Sequence, residues 1–344
     1  MKATYHRHVL EFKRPSGTSR GVLKIKETWF LIIQDGERKG IGECGLLRGL
    51  SVDDRPDYEE KLQWVCENIA LGPEMLWNSL TEFPSIQFGV EMAFQSLRSQ
   101  QPFELFPSAF TRGEEAIPIN GLVWMGEKQF MKEQIVSKIK EGFRCIKLKI
   151  GAIDFQEELE LLGYIRSELS SADIELRVDA NGAFSAKAAL KKLEQLAQFD
   201  LHSIEQPIKP NQWHEMAQLC EKTPLPIALD EELIGVTNNE TKRLVLDTIQ
   251  PQFVIFKPSL IGGFKGTQEW IDACETRNVD WWVTSALESN VGLNAISQWT
   301  FTKNVSMPQG LGTGGLYTNN ITSPLEIKKG FIHYNPEKDW IFNF

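Results

Sequence analysis

Apolar and polar positions follow two different rhythms along this chain, and the change falls near residue 112. Before it, YHRHVLEF, VLKIKETWFLIIQDG and GIGECGLL read as antiparallel strands joined by turns, and DYEEKLQWVCENIA and VEMAFQSLRSQ read as helices. This is an α+β pattern. The segment SGTSRG, residues 16 to 21, joins two of those strands, and its glycines and small hydroxyl residues suit either a solvated hairpin connection or a mobile lid over a site.

From about Pro118 onward, short β-type runs alternate with helical pattern and predict strands at 118–123, 144–149, 174–179, 201–205, 226–230, 253–257, 280–285 and 305–309. After Gly151, residues Phe155, Leu159, Leu162, Ile165 and Leu169 share one helical face, and Ser185 is a candidate N-cap for AKAALKKLEQLAQF. No comparable helix follows the last run, so the tail from about Tyr317 to Phe344 is expected to pack back on the first region. The alternation predicts a parallel α/β barrel. At 344 residues there is room for a barrel of about 250 residues and a smaller domain beside it.

A polar residue closes each of five successive runs: Lys149, Asp179, Glu205, Asp230 and Lys257, spaced 30, 26, 25 and 27 positions apart. That period is one βα unit, so parallel neighbouring strands bring all five to one end of the barrel. Alternation within CIKLKI places Cys145, Lys147 and Lys149 on the face opposite Ile146 and Leu148, and ELRVDA sets Arg177 and Asp179 opposite Leu176 and Val178. The apolar faces suit the helix layer, which leaves the charges pointing into the barrel.

Buried charge is costly unless paired or bound to a metal. Three converging carboxylates repel one another, and a divalent cation removes that penalty; an all-oxygen donor set favours Mg2+ or Mn2+ over zinc. His202 sits early in its run and reads as structural. The competing reading is a network of buried salt bridges without an ion.

Composition narrows the partners. Hydrophobic content of 42% and charged content of 24% are those of an ordinary globular chain, and the net charge of −9 is spread without a basic stripe. Nucleic acid and membrane are therefore not expected as partners, whereas a small anionic carboxylate substrate is, drawn by local positive charge. A homo-oligomer is compatible with the sequence. The five cysteines are odd in number and contain no CxxC pair, and the N-terminus lacks a secretory apolar core, so a cytoplasmic setting is expected.

Taken in order, these residues resemble the enolase superfamily, in its muconate-lactonising branch. KLKIG holds the branch's Lys-x-Lys signature, RVDANGAF, EQP and ALDE match the three metal-ligand motifs at Asp179, Glu205 and Asp230, and FKPSLIGG places the opposing lysine at Lys257. GIGECGLL and PSIQFGVEMA resemble the family's capping domain. The resemblance implies a modified TIM barrel of (β/α)7β type over residues 117–316, with an α+β capping domain over 1–112 completed by the tail 317–344.

Within the branch, TSALESNVGL and PQGLGTG resemble the o-succinylbenzoate synthase family of dehydratases, which serve menaquinone biosynthesis. The implied reaction is a Mg2+-dependent syn dehydration of 2-succinyl-6-hydroxy-2,4-cyclohexadiene-1-carboxylate, with Lys149 as base and then acid and Lys257 as a stabilising cation. The alternative is an N-succinylamino acid racemase or dipeptide epimerase, although residues 284 to 290 lack the epimerases' Asp-x-Asp. Lys147 is expected to hold Lys149 or to touch the substrate carboxylate. Ser285, Ser289 and the backbone near Gly312 are expected to bind the succinyl tail, with Ser19 and Arg20 closing over it. Asn181, Glu231 and Arg177 are expected to support the metal ligands, and Glu231 is the rival to Asp230 as ligand.

Overall fold

The computed structural model describes residues 1–18 and 21–344, so the expected lid contacts of Ser19 and Arg20 lie outside the described residues. Antiparallel strands β1 (Lys2–Thr18), β2 (Gly21–Asp35) and β3 (Arg38–Gly45) form the N-terminal sheet. The core of β2 is buried on both faces, which is why WFLII is continuously apolar. Trp29, Leu31 and Ile33 pack with helices α1 (Tyr58–Glu67), α2 (Gly72–Asn78) and α3 (Pro84–Arg98), while Phe30 joins the barrel core. α3 lies so close to β3 that a Cβ on Gly42 would stand 1.9 Å from the Gly89 carbonyl oxygen, so this contact requires glycine.

After the short strand β4 (Ile117–Pro118) come β5 (Gly121–Val123), β6 (Cys145–Lys149), β7 (Glu175–Asp179), β8 (Ser203–Glu205), β9 (Ile227–Leu229), β10 (Phe253–Phe256) and β11 (Asp280–Val283). Strands β5 to β11 pair in parallel, in sequence order, in one curled sheet. Helices α4 (Lys128–Lys140), α5 (Phe155–Glu168), α6 (Ala186–Leu196), α7 (Trp213–Lys222), α8 (Asn239–Ile249), α9 (Gly263–Glu275) and α10 (Asn290–Phe301) follow the strands one by one. The architecture is the (β/α)7β barrel with an α+β partner. Ser185 does occupy the N-cap position of α6, but its side chain makes no capping bond; at α5 the cap is Asp154, which accepts from the Gln156 N–H at 2.9 Å.

Two expected strands differ in detail. The run at 305–309 is reduced to a bridge at Gln309 and Gly310, because Pro308 has no N–H to offer a ladder. That bridge still closes the barrel: Gln309 N donates to Pro118 O at 2.8 Å, and Gly310 N donates to Val283 O at 2.8 Å. The run at 118–123 is split, since β4 pairs with the tail hairpin of β12 (Leu325–Lys328) and β13 (Phe331–Tyr334) while β5 enters the barrel.

Several contacts hold the N-terminal sheet over the barrel. Phe342 and Phe344 from the tail pack on Phe30, with ring centroids 5.2 and 5.1 Å away, and Thr318 N donates to Glu11 O at 2.9 Å. Two carboxylates from the N-terminal region cap barrel helices. Glu91 accepts from Phe264 N (2.6 Å) and Lys265 N (3.1 Å) at α9, and Glu43 accepts from Ser289 N (2.8 Å) and Gly292 N (2.7 Å) at α10. All five cysteines are free thiols. Among the described residues no helix is long and apolar enough to cross a membrane.

Candidate active site

Strand register brings the polar strand ends together. Lys149 pairs with Asp179 and Asp179 with Glu205 across β6, β7 and β8, so three successive strands present these side chains on one rung. One layer deeper, Lys147 pairs with Arg177 and Arg177 with Ser203. Asp230 follows β9 and opens a short turn over Glu231–Leu233, and Lys257 follows β10. Asp179, Glu205 and Asp230 are all buried.

The lysines now hold the carboxylates. Lys147 Nζ lies 2.9 Å from Asp179 Oδ2 and also contacts Glu205 Oε2. Lys149 Nζ lies 3.0 Å from the same Asp179 oxygen and donates to Asn181 Oδ1 at 2.8 Å. On the far side, Lys257 Nζ contacts Asp230 Oδ2 and stands 3.9 Å from Glu205 Oε1. Lys149 and Lys257 thus approach from opposite flanks of the carboxylates.

Electrostatics single out Glu205. Burial works against the Asp179 carboxylate, but Lys147, Lys149 and Lys257 outweigh it and hold its pKa below the usual range; Asp230 is lowered in the same way, chiefly by Lys257. Burial likewise disfavours the Lys147 and Lys257 ammoniums, yet the surrounding carboxylates hold both pKa values above the ordinary lysine value. At Glu205, burial and then the charges of Asp179 and Asp230 push the pKa well above that of a free glutamate. Neither Glu205 oxygen receives a well-directed hydrogen bond. One more positive centre among three oxygen donors would relieve that strain, and the chemistry of the set suits a hard divalent cation. Among the described residues no group of three acidic, histidine or cysteine side chains stands in an open ligating arrangement, and the carboxylate oxygens here lie against lysine nitrogens.

Neighbouring side chains divide. Asn181 lies in the left-handed region (φ 43°), its N–H bonds Asp179 Oδ1 at 3.0 Å, and its Nδ2 donates to Glu231 Oε1 at 3.0 Å. Glu231 therefore faces Asn181, while Asp230 stands against Lys257. Arg177 points inward but below: it binds Glu175 Oε1 at 2.7 Å and Pro308 O at 2.9 Å, lies 4.2 Å from the Trp282 ring, and makes no hydrogen bond to the three carboxylates. Sequence reasoning missed Gln206. Its Oε1 accepts from Asp230 N at 3.2 Å and its Nε2 donates to Glu232 at 3.0 Å, which stitches the end of β8 to the turn after β9.

A cavity of about 190 Å³ opens above the cluster. Lys147, Lys149 and Lys257 form its floor, Leu122 and Trp124 from the first barrel strand and its exit line one wall, and Val22, Leu23, Leu47, Arg48 and Leu50 reach in from the N-terminal region. Ser285, Gly312 and Thr313 line the opposite wall. The Ser285 hydroxyl is committed, donating to Glu288 Oε2 at 2.5 Å and accepting from Thr313 at 2.8 Å and from Leu287 N at 3.0 Å. Ser289 does not reach the cavity. It is buried as the α10 N-cap, with its hydroxyl on Glu43 Oε2 at 2.5 Å, which engages it away from the cavity where a substrate contact was expected. Nothing in the run TSALESN signals a partner 246 residues away.

A closed parallel barrel with charged groups gathered at the C-terminal strand ends, under a cavity roofed by the N-terminal region, is the architecture of an enzyme. The enolase C-terminal domain-like family matches residues 131–338, more than half of the chain, and the chain belongs to the enolase superfamily. It is 47% identical to the o-succinylbenzoate synthase of Desulfotalea psychrophila, over 96% of this chain and 98% of that protein. The crystal structure of MenC from the same organism superposes with a TM-score of 0.87 and 42% identity, covering 97% of this chain and 99% of that one. An N-succinyl-L-Arg/Lys racemase of Bacillus cereus is 24% identical over 78% of this chain and 70% of its own length.

Proposed function

We propose that this chain is an o-succinylbenzoate synthase-like hydro-lyase, acting in the cytoplasm on 2-succinyl-6-hydroxy-2,4-cyclohexadiene-1-carboxylate and serving menaquinone biosynthesis. The observation that carries the reading is the placement of Lys149 and Lys257 on opposite flanks of Asp179, Glu205 and Asp230, beneath one cavity. The 47% identical relative supports the choice of reaction.

Asp179, Glu205 and Asp230 would hold Mg2+, or Mn2+ in its place; either ion would stabilise negative charge developing on the substrate carboxylate. The proton to be removed lies α to that carboxylate and is too weakly acidic for an amine in water. Lys149, in its neutral form, takes it from the ring carbon, and Asn181 fixes the direction from which the amine approaches. The resulting enediolate expels the neighbouring hydroxyl. The same Lys149 returns its proton to that oxygen on the same face, the C–O bond breaks, water leaves and the ring becomes aromatic. Lys257 stays protonated and offers positive charge from the other side, where Asp230 holds it. Trp124 and the leucines of the roof exclude water from the ring.

A second reading, racemisation of an N-succinylamino acid, is favoured by Lys257 alone, since a lysine on the opposite flank can exchange a proton on the other face. An ultraviolet assay for loss of the cyclohexadiene, with and without EDTA, tests the first reading: the account expects EDTA-sensitive turnover that yields o-succinylbenzoate. Deuterium entering both enantiomers of an N-succinylamino acid in D2O, with no dehydration, would replace it with the second.

A further inference from the structure

The cavity's charges are unevenly distributed. On the floor, the three lysines are all drawn to the carboxylates of the strand ends. Among the described residues the roof contributes one cation, Arg48, from the loop between Gly45 and Tyr58. Its guanidinium is fixed from behind: Nε donates to Glu27 Oε2 at 2.7 Å, Nη2 stands 2.6 Å from the same oxygen, and Nη1 donates to Asp54 Oδ1 at 2.6 Å. Asp54 is itself held by Gly49 N at 2.7 Å, and Glu27 also pairs with Arg7. A guanidinium has about five N–H donors. With three engaged, donors are left over on a group that is both oriented and at the cavity edge.

The hydroxyls of Ser285, Thr313 and Ser289 are already engaged. The Ser285 proton goes to Glu288, the Thr313 proton goes to Ser285, and Ser289 is held by Glu43. Lys26, the other inward cation of the N-terminal sheet, is buried behind Gly45 and does not line the cavity. A substrate with a second carboxylate, remote from the reacting carbon, would meet at Arg48 the unengaged N–H donors of a guanidinium already oriented at the cavity edge.

We propose that Arg48 binds the substrate's distal carboxylate and makes this site selective for dicarboxylates. A planar fork that is already oriented loses little freedom when it takes a carboxylate, and charge-assisted bonds of this kind are the strong ones. The inference rests on the proposed function only in needing a dicarboxylate substrate. It holds equally for the dehydratase and for the N-succinylamino acid racemase.

The test compares two ligands by calorimetry in Mg2+: 2-succinylbenzoate, and 2-butanoylbenzoate, in which a methyl group replaces the distal carboxylate. Wild type is expected to prefer the dicarboxylate by about 10- to 100-fold. Arg48→Met is expected to lose most of that preference while binding 2-butanoylbenzoate as wild type does, which also reports an intact site, and Arg48→Lys is expected to fall between. Equal weakening of both ligands in Arg48→Met, an unchanged preference, or a wild type that shows no preference or binds neither ligand would overturn the proposal. Turnover of the cyclohexadiene is measured on the same wild-type preparation. A protein that prefers the dicarboxylate but does not dehydrate would refute the dehydratase reading and leave Arg48 standing.

Discussion

Lys149 Nζ donates to Asn181 Oδ1 at 2.8 Å, and the same asparagine donates its Nδ2 to Glu231 Oε1 at 3.0 Å. The amine on one flank of the carboxylates is thereby tied to the turn that follows β9. Asn181 adopts φ 43°, a left-handed conformation that asparagine tolerates better than most residues.

Asn181→Gly keeps that backbone conformation accessible and removes the amide. The expected result is a kcat lowered by about 10-fold, the scale of one hydrogen bond to a charged group, with the circular dichroism spectrum unchanged. An unchanged kcat would remove Asn181 from the positioning of Lys149.

Lys149→Ala removes the amine from a cavity floor rather than from the packed core. Turnover is expected to fall by at least about 10³-fold, since the variant loses both the base and the returning acid, while thermal unfolding shows a folded protein. Near-normal turnover would take the base role away from Lys149.

Asp53 offers a test of stability in the N-terminal region. Its Oδ2 accepts from Ser85 N and Oγ, its Oδ1 has no partner, and burial pushes its pKa up to about 6 from an ordinary 3.8. The native state then holds a proton that the unfolded chain has released. The stability this contributes is complete below pH 3.8 and is lost as the pH rises through about 6. Urea unfolding should show wild type losing about 1–3 kcal/mol relative to Asp53→Asn between pH 4 and pH 7. Parallel stability profiles for the two proteins would contradict the shifted titration.

Much of the barrel was legible because two periodicities coincide. The recurrence of about one βα unit between Lys149, Asp179, Glu205, Asp230 and Lys257 gave the strand order, and alternation in CIKLKI and ELRVDA gave the inward faces. Parallel pairing then turned sequence spacing into the rung of Lys149, Asp179 and Glu205. What alternation cannot give is depth along the barrel axis, and Arg177, inward like its neighbours, is spent on Glu175 and Trp282 one layer down. Nor does a local pattern reveal contacts between distant regions. Ser289 looked free in TSALESN but is capped by Glu43, and Arg48 enters the cavity from a loop with no distinguishing composition. Gln206 was hidden in plain view within EQP, its role visible only when β8 and β9 lie side by side.

The most direct test of the shared cation site is a Mn2+ titration followed by electron paramagnetic resonance on wild type, Asp179→Asn, Glu205→Gln and Asp230→Asn. The account predicts one tight site per chain in wild type and a loss of at least about 10-fold in affinity in each variant, because each removes one of three oxygen donors. Wild-type affinity retained in all three variants would contradict it.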